Sequence, residues 1–253
     1  MTLDVDQIKT RFNKDGYIAI KAFVSGTELE EISDNVARFI REVVPSLPKE
    51  HVFCEDKDDI STLKQIQQMG VYDSYFKRWM EKSPFRKMAE VLLDGKVVAK
   101  NLQFFNKPAG SGKPTPPHQD GYYFMIEPCF ALTMWFALDD VDEENGCVRY
   151  IPGSHLEGLR PHGRTKTLGF SQGIMDYPWG TDSQRETPIH ARAGDLIIHD
   201  ALSVHRANGN FSAHRSRKAL GFIYYSSEAR ENMQAHESYQ QKLKKELIES
   251  QEI

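Results

Sequence analysis

Two separated stretches carry side chains whose types and spacing suit shared chemistry. Pro116-Pro117-His118-Gln119-Asp120-Gly121 sets a histidine and a carboxylate two residues apart, and His205 lies far downstream in Leu202-Ser203-Val204-His205. Residues i and i+2 of an extended strand point to the same face. His118 and Asp120 are therefore expected to converge, with His205 completing a 2-His-1-carboxylate set. Such a set holds one face of an octahedral ferrous ion and leaves positions open for a co-substrate and dioxygen, as in non-haem iron oxygenases. A 2-oxoacid co-substrate adds a demand, a cation for its distal carboxylate. Arginine meets it, because its planar fork binds a carboxylate through two hydrogen bonds and stays charged when buried. Arg217 opens an apolar stretch running to Tyr225 and is the expected partner, with Arg215 in the preceding loop as the alternative.

Other histidines and acids read more plainly. His155, in Pro152-Gly153-Ser154-His155, reads as a hydrogen-bonded turn residue. His199 and Asp200 are neighbours on a strand, so they point to opposite faces and chelate one ion poorly. His199 is thus expected in the core or beside the ligands. His162, His190, His214 and His236 fall in polar segments and are expected to face solvent, and the acids from Asp139 to Glu144 read as a solvated turn.

The elements that must position these groups follow from periodicity and caps. Residues 3–14 read as a helix closed by Gly16, and residues 17–23 as a strand. Ser25-Gly26-Thr27-Glu28 has the form of a capping box, with Val24 and Leu29 as its hydrophobic staple. It opens a helix whose apolar residues, from Leu29 to Val43, recur at helical spacing before Pro45. Residues 61–69 and 72–81 read as helices, and Ser83-Pro84 starts another that runs to Gly95. From Lys96 to about Ser226 short strand-like segments alternate with turns, and the charged stretch 228–250 reads as a solvated helix. Helices first and strands afterwards predict an α+β, mainly β domain. It has a helical part over about 1–95, a β core over about 96–226 and a helical tail over about 227–253. Two insertions flank the ligands, 106–115 and 156–189; long loops in such positions suit lids. Tyr122, Tyr123 and Phe124 are expected in the pocket wall. Arg160, Arg164 and Lys166 in the second insertion meet either an anionic substrate or water.

Composition narrows the class. The 253 residues suffice for one domain with a large core, and a net charge of −4 with both signs interspersed argues against nucleic acid or a basic membrane surface. No membrane-length apolar run, secretory leader or C-terminal peroxisomal address is visible, so the cytoplasm is the expected compartment. Cys54, Cys129 and Cys147 are odd in number and widely spaced, which suits reduced thiols. A small molecule is the expected partner; nothing here bears on oligomeric state.

Several motifs, in order along most of the chain, resemble the phytanoyl-CoA dioxygenase family of Fe(II)- and 2-oxoglutarate-dependent oxygenases. They are Asp15-Gly16-Tyr17, Pro117-His118-Gln119-Asp120, Trp135 to Asp140, Glu144-Asn145-Gly146-Cys147, Ile151-Pro152-Gly153-Ser154-His155 and Ala193-Gly194-Asp195 leading to His205. The resemblance implies a double-stranded β-helix, a jelly roll of the cupin type, with N-terminal helices on one face. It implies Fe(II) on His118, Asp120 and His205, 2-oxoglutarate on Arg217, and further co-substrate contacts from Gln119, Trp135 and Gln103. O₂ is the second co-substrate, and oxidation of a C–H bond with release of succinate and CO₂ the expected activity. The carboxylate of Asp120 favours hydroxylation, desaturation or ring formation over halogenation. Ala207 replaces a serine common in the family, and the interval from His205 to Arg217 is one residue longer than usual. A cupin-type enzyme without 2-oxoglutarate and a non-catalytic binding protein are the competing readings.

Overall fold

The computed structural model describes residues 4–250. In chain order the elements are α1 (Val5–Asp15), β1 (Tyr17–Ile20), α2 (Thr27–Glu42), β2 (Val52–Cys54), β3 (Leu63–Ile66), α3 (Met69–Tyr72), α4 (Ser74–Glu81) and α5 (Pro84–Leu92). Then follow β4 (Val97–Lys107), β5 (Thr115–His118), α6 (Gly121–Phe124), β6 (Ile126–Glu127), β7 (Ala131–Ala137), β8 (Val148–Tyr150), β9 (His162–Thr167) and β10 (Phe170–Ile174). The chain continues through α7 (Asp182–Arg185), β11 (Thr187–Ile189), β12 (Leu196–Asp200), β13 (His205–Ala207), β14 (Arg217–Ser226), β15 (Arg230–Glu231) and α8 (Met233–Glu249).

A seven-stranded sheet in the order β1-β12-β7-β14-β4-β3-β2 faces a four-stranded sheet in the order β11-β8-β13-β5. Every pairing is antiparallel. This is the jelly-roll core that the motif order implied. Side-chain alternation assigns the two faces of the large sheet. Leu132, Met134, Phe136, Leu220, Phe222, Leu196 and Ile198 point outward into a core shared with the helices, where they meet Ile8, Phe12, Ile32, Val36, Phe39, Phe76 and Phe85. Trp135, Ala137, Ala219 and Ile197 point inward against Val148 and Tyr150 of the small sheet. Strand β7, covered on both sides, is buried along its whole length.

Helix α1 starts at Asp4, whose carboxylate accepts from the Gln7 N–H, and ends at Gly16 in the left-handed region, φ +78°. A Cβ at Gly16 would lie 2.4 Å from His155 Nδ1 and 2.6 Å from Ser203 Oγ, so conformation and packing both require glycine. His155 Nε2 donates to Asn13 O across 3.1 Å and is a turn residue, as expected.

The structure departs from the local reading in several places. Residues 63–66 form β3, all four buried, at the side of β4: tertiary pairing overrides the helical reading of 61–69. Helix α2 begins after Gly26, at φ +60°, with no side-chain cap, so the capping box does not form. Strand β1 stops at Ile20, and α5, which starts at Ser83-Pro84 as expected, ends at Leu92 and has no side-chain capping bond. The insertion 156–189 is largely ordered: β9 and β10 form a hairpin, and Arg160, 8% exposed, pairs with Asp182 at 2.8 Å and Asp176 at 2.9 Å. No described helix is long and apolar enough to cross a membrane. The three cysteines are free.

Candidate active site

The first sequence-derived ligand closes β5 and the third opens β13, and these strands pair with His205 opposite His118. Asp120 comes after β5 has ended, in a helical turn at φ −60° and ψ −32°. The two ligands therefore converge across a strand-to-helix junction, not along a continuous strand as the His-x-Asp spacing suggested. One donor atom each from His118, Asp120 and His205 fall within 4.8 Å of one another. Asp120 Oδ1 stands 3.5 Å from His118 Nε2 and 3.8 Å from His205 Nε2.

Both imidazoles are oriented by backbone. His118 Nδ1 meets Pro116 O at 2.8 Å, and His205 Nδ1 meets Ser203 O at 3.0 Å. A carbonyl only accepts, so each Nδ1 carries the proton and each Nε2 keeps its lone pair for a metal. Burial and the neighbouring His118 and His199 push the His205 pKa well below its usual value, holding the ring neutral as ligation requires. Burial opposes ionisation of Asp120, but the close His118 and the hydrogen-bonding His199 outweigh it and leave its pKa well below the ordinary carboxylate range.

A cavity opens beside these groups, lined by Phe105, Thr133, Trp135, Val148, Tyr150, Phe170, Ala207 and Arg217 among others. Arg217 is 5% exposed, lies 5.3 Å over the Trp135 ring, and its Nε has no hydrogen-bond partner among the described residues. Burial lowers its pKa to about 10, so it is a cation at neutral pH. A buried, unsatisfied guanidinium facing a cavity is costly unless an anion completes it, and a dicarboxylate fits that need. Arg215 is excluded from this role: it bonds Asp142 at 2.9 Å and also Glu144, on the surface. The acidic turn is therefore ion-paired as well as solvated.

The other expected contacts divide. Trp135 lines the cavity. Gln119 does not: residues alternate, and its side chain turns away, donating to Gly158 O at 2.8 Å and Leu202 O at 2.6 Å and accepting from the Arg160 N–H at 2.8 Å. It clips the ligand segment to the second insertion. Gln103 accepts from Gln65 Nε2 at 2.6 Å and is not among the cavity-lining residues. Tyr122, Tyr123 and Phe124 also stand outside the lining; Phe124 packs on Tyr225, and Tyr123 donates to Gln172 O. His162 is half-buried, contrary to expectation. It stacks on Tyr122 at 4.4 Å, and its Nε2 accepts from the Gln119 N–H at 3.1 Å. Phe105, Thr133, Val148, Tyr150 and Phe170 were missed by motif reading. Alternation could have found two of them, since Thr133 shares a face with Trp135, and Phe105 with Gln103.

A jelly roll that brings two histidines, one carboxylate and a buried arginine to one cavity fits the class of non-haem iron oxygenases. The sequence matches the phytanoyl-CoA dioxygenase (PhyH) family over residues 12–219, most of the chain. The chain belongs to this family, and with it to the Fe(II)- and 2-oxoglutarate-dependent dioxygenases. Among its relatives, peroxisomal phytanoyl-CoA dioxygenase of Rattus norvegicus is 28% identical over 87% of this chain and 68% of its own length. Phytanoyl-CoA dioxygenase of Arabidopsis thaliana is 27% identical over 86% of this chain and 87% of its own length. Among solved structures, the non-heme alpha ketoglutarate dependent carbocyclase SnoK from nogalamycin biosynthesis aligns with a TM-score of 0.71. It is 24% identical and covers 90% of this chain and 87% of its own. EctD from S. alaskensis, with 2-oxoglutarate and 5-hydroxyectoine, aligns with a TM-score of 0.72 at 18% identity, covering 89% and 77%.

Proposed function

We propose that this protein oxidises an unactivated C–H bond of a compact, largely apolar small molecule, by hydroxylation or a related desaturation or cyclisation. His118, Asp120 and His205 would hold Fe(II), and Arg217, backed by Trp135, would bind the distal carboxylate of 2-oxoglutarate. Together the iron and the 2-oxoacid supply activation of O₂ with loss of CO₂ and formation of succinate. The chain's own contribution is aim and exclusion. The backbone carbonyls of Pro116 and Ser203 fix both imidazole tautomers. Phe170 sits edge-on to His118 at 5.2 Å and shields the ligand from water.

The unsatisfied Arg217 guanidinium facing the triad carries this reading. The apolar substrate class is supported by the lining. Its charged members other than Asp120 and Arg217 reduce to Arg206, which is paired with Glu186 and Asn208. Phe105, Phe170 and Val148 make up much of the remaining wall. Arg160 and Arg164, which an anionic substrate would need, are paired with Asp176 and Asp182 and with Glu246.

The test is an anaerobic titration of metal-free protein with Fe(II) and then 2-oxoglutarate, following the visible charge-transfer band of a chelated 2-oxoacid. Wild type should develop the band and His205→Ala should not. Arg217→Ala should need on the order of 100-fold more 2-oxoglutarate, about the loss of one bidentate charged pair. Arg215→Ala should titrate like wild type. Iron binding without any band in wild type would sink the 2-oxoglutarate assignment and favour a cupin-type enzyme.

A further inference from the structure

His199 has no part in the ligand set, yet it is 2% exposed and lies in the middle of it, 4.4 Å from His205 between ring centroids. Both of its nitrogens are engaged. Nε2 lies 3.1 Å from Asp120 Oδ2, and Nδ1 lies 2.8 Å from the Tyr150 hydroxyl. An ionised carboxylate only accepts, so Nε2 carries the proton and donates to Oδ2. In the neutral ring Nδ1 is then the acceptor for the Tyr150 O–H. Thr133 Oγ1 donates to the same Oδ2 at 2.6 Å. Two donors thus converge on Oδ2, while Oδ1 faces the Nε2 atoms of His118 and His205.

We infer that Tyr150 and His199, with Thr133, form a positioning relay that presents Asp120 to the metal through Oδ1 alone and leaves an adjacent coordination position open. The inference rests on the assignment of Asp120 as an iron ligand. It follows from saturation: a carboxylate whose Oδ2 accepts two directed hydrogen bonds has little capacity left to chelate through both oxygens. It also explains why a third histidine beside the triad is not a fourth ligand, since neither of its nitrogens keeps a free lone pair.

The relay is built into the fold. His199 is the register partner of Thr133 across β12 and β7, so both donors rise from one sheet to one oxygen. Tyr150 comes from the opposite sheet, as the register partner of His205. Its fully buried ring is stacked between Tyr17, at 4.5 Å, and His205, at 5.6 Å. Tyr17 is in turn the register partner of His199. The Asp-Gly-Tyr motif at the start of the chain thereby supports the ring that holds His199 from behind.

The test uses Co(II), whose visible absorption and magnetic circular dichroism report coordination without turnover, on the full chain and on His199→Leu, His199→Gln, Tyr150→Phe and the double variant His199→Gln/Tyr150→Phe. Metal affinity should fall 10–100-fold in His199→Leu, with altered ligand-field bands. His199→Gln, which keeps a donor to Oδ2, should recover to within a few-fold of wild type. Tyr150→Phe should cost a few-fold alone and nothing further in the glutamine background, because it acts only through the histidine. His199→Leu with wild-type affinity and bands would overturn the relay. So would a further loss on adding Tyr150→Phe to His199→Gln. Should His199→Leu fail to fold, the glutamine and phenylalanine variants decide by the same criteria. Asp120→Ala separates the two levels: if its Co(II) affinity equals that of wild type, the ligand assignment itself has failed, whatever the relay variants do.

Discussion

Lys107 shows how one side chain can report on the polarity of a whole region. It is 4% exposed, donates to Lys113 O at 2.8 Å, and is the register partner of Arg217. Burial, then the positive charges of Arg217 and Lys64, lower its pKa to about 6. Above about pH 6 the folded protein therefore holds a neutral amine. The unfolded chain keeps its proton to about pH 10. The unfolded state binds more protons across that window, so stability from this residue rises with pH. Lys107→Met should remove that dependence. In urea unfolding the variant should gain most at or below pH 6, on the order of 1–3 kcal/mol after the lost hydrogen bond, with the gain shrinking toward about pH 10. A gain that is flat with pH would contradict the depressed amine. A neutral amine beside Arg217 also bears on the co-substrate. The orphaned guanidinium would be left as the dominant cation at that end of the cavity.

At the scale of elements, the hairpin of β9 and β10 with α7 forms a structured wall, where 156–189 was expected to be a long lid loop. Its internal tie is Arg160, held by Asp176 and Asp182, and its tie to the His118–Asp120 segment is Gln119. Helix α8, expected to be solvated, closes over the same wall: Tyr239 bonds Ser171, Glu246 pairs with Arg164, and Lys244 pairs with Glu50 at 2.7 Å. Removing Arg160 leaves Asp182, 1% exposed, without its cation, a change of about 3–5 kcal/mol for a broken buried pair. Arg160→Ala should accordingly expose residues 156–189 to limited proteolysis at least tenfold faster and lower the global unfolding midpoint. Equal cleavage rates would show that the hairpin, not the ion pair, orders the insertion.

Across the whole molecule, the helices and the large sheet share one core. Phe85 of α5 is fully buried, stacked on Phe222 at 4.2 Å and edge-on to Phe136 at 5.3 Å. Truncation at such a point costs both transfer energy and a cavity, about 3–5 kcal/mol. Phe85→Ala should lower the unfolding midpoint as a single transition, read alike by far-UV circular dichroism and by tryptophan fluorescence. Two separated transitions would mean that the helical layer and the jelly roll unfold independently. The same layered design explains why the inner face can afford polar groups. Apolar burial on the outer face stabilises the sheet, while His199, Thr133 and Arg217 are free to serve the cavity.

Much of the site was legible because its signals are local. His118 and Asp120 lie two residues apart, Arg217 begins an apolar strand, and Gly16 follows a helix of the right length; each depends on a few neighbouring residues and on side-chain direction. The jelly roll was legible only through the order of several motifs, since short strands carry weak periodicity singly. What the tertiary structure alone decided are contacts between segments remote in sequence. Arg217 rather than Arg215 faces the cavity because Asp142 and Glu144 claim the latter. Residues 63–66 extend because β4 offers an edge to pair with. Gln119 turns away from the cavity because the chain leaves the strand after His118 and the insertion supplies its buried partners. The partners of Asp120 come from β7 and β12, and the tyrosine behind them from β8. A sequence specifies the direction of a side chain from its neighbours, but the atom that side chain meets depends on which strands the fold sets side by side.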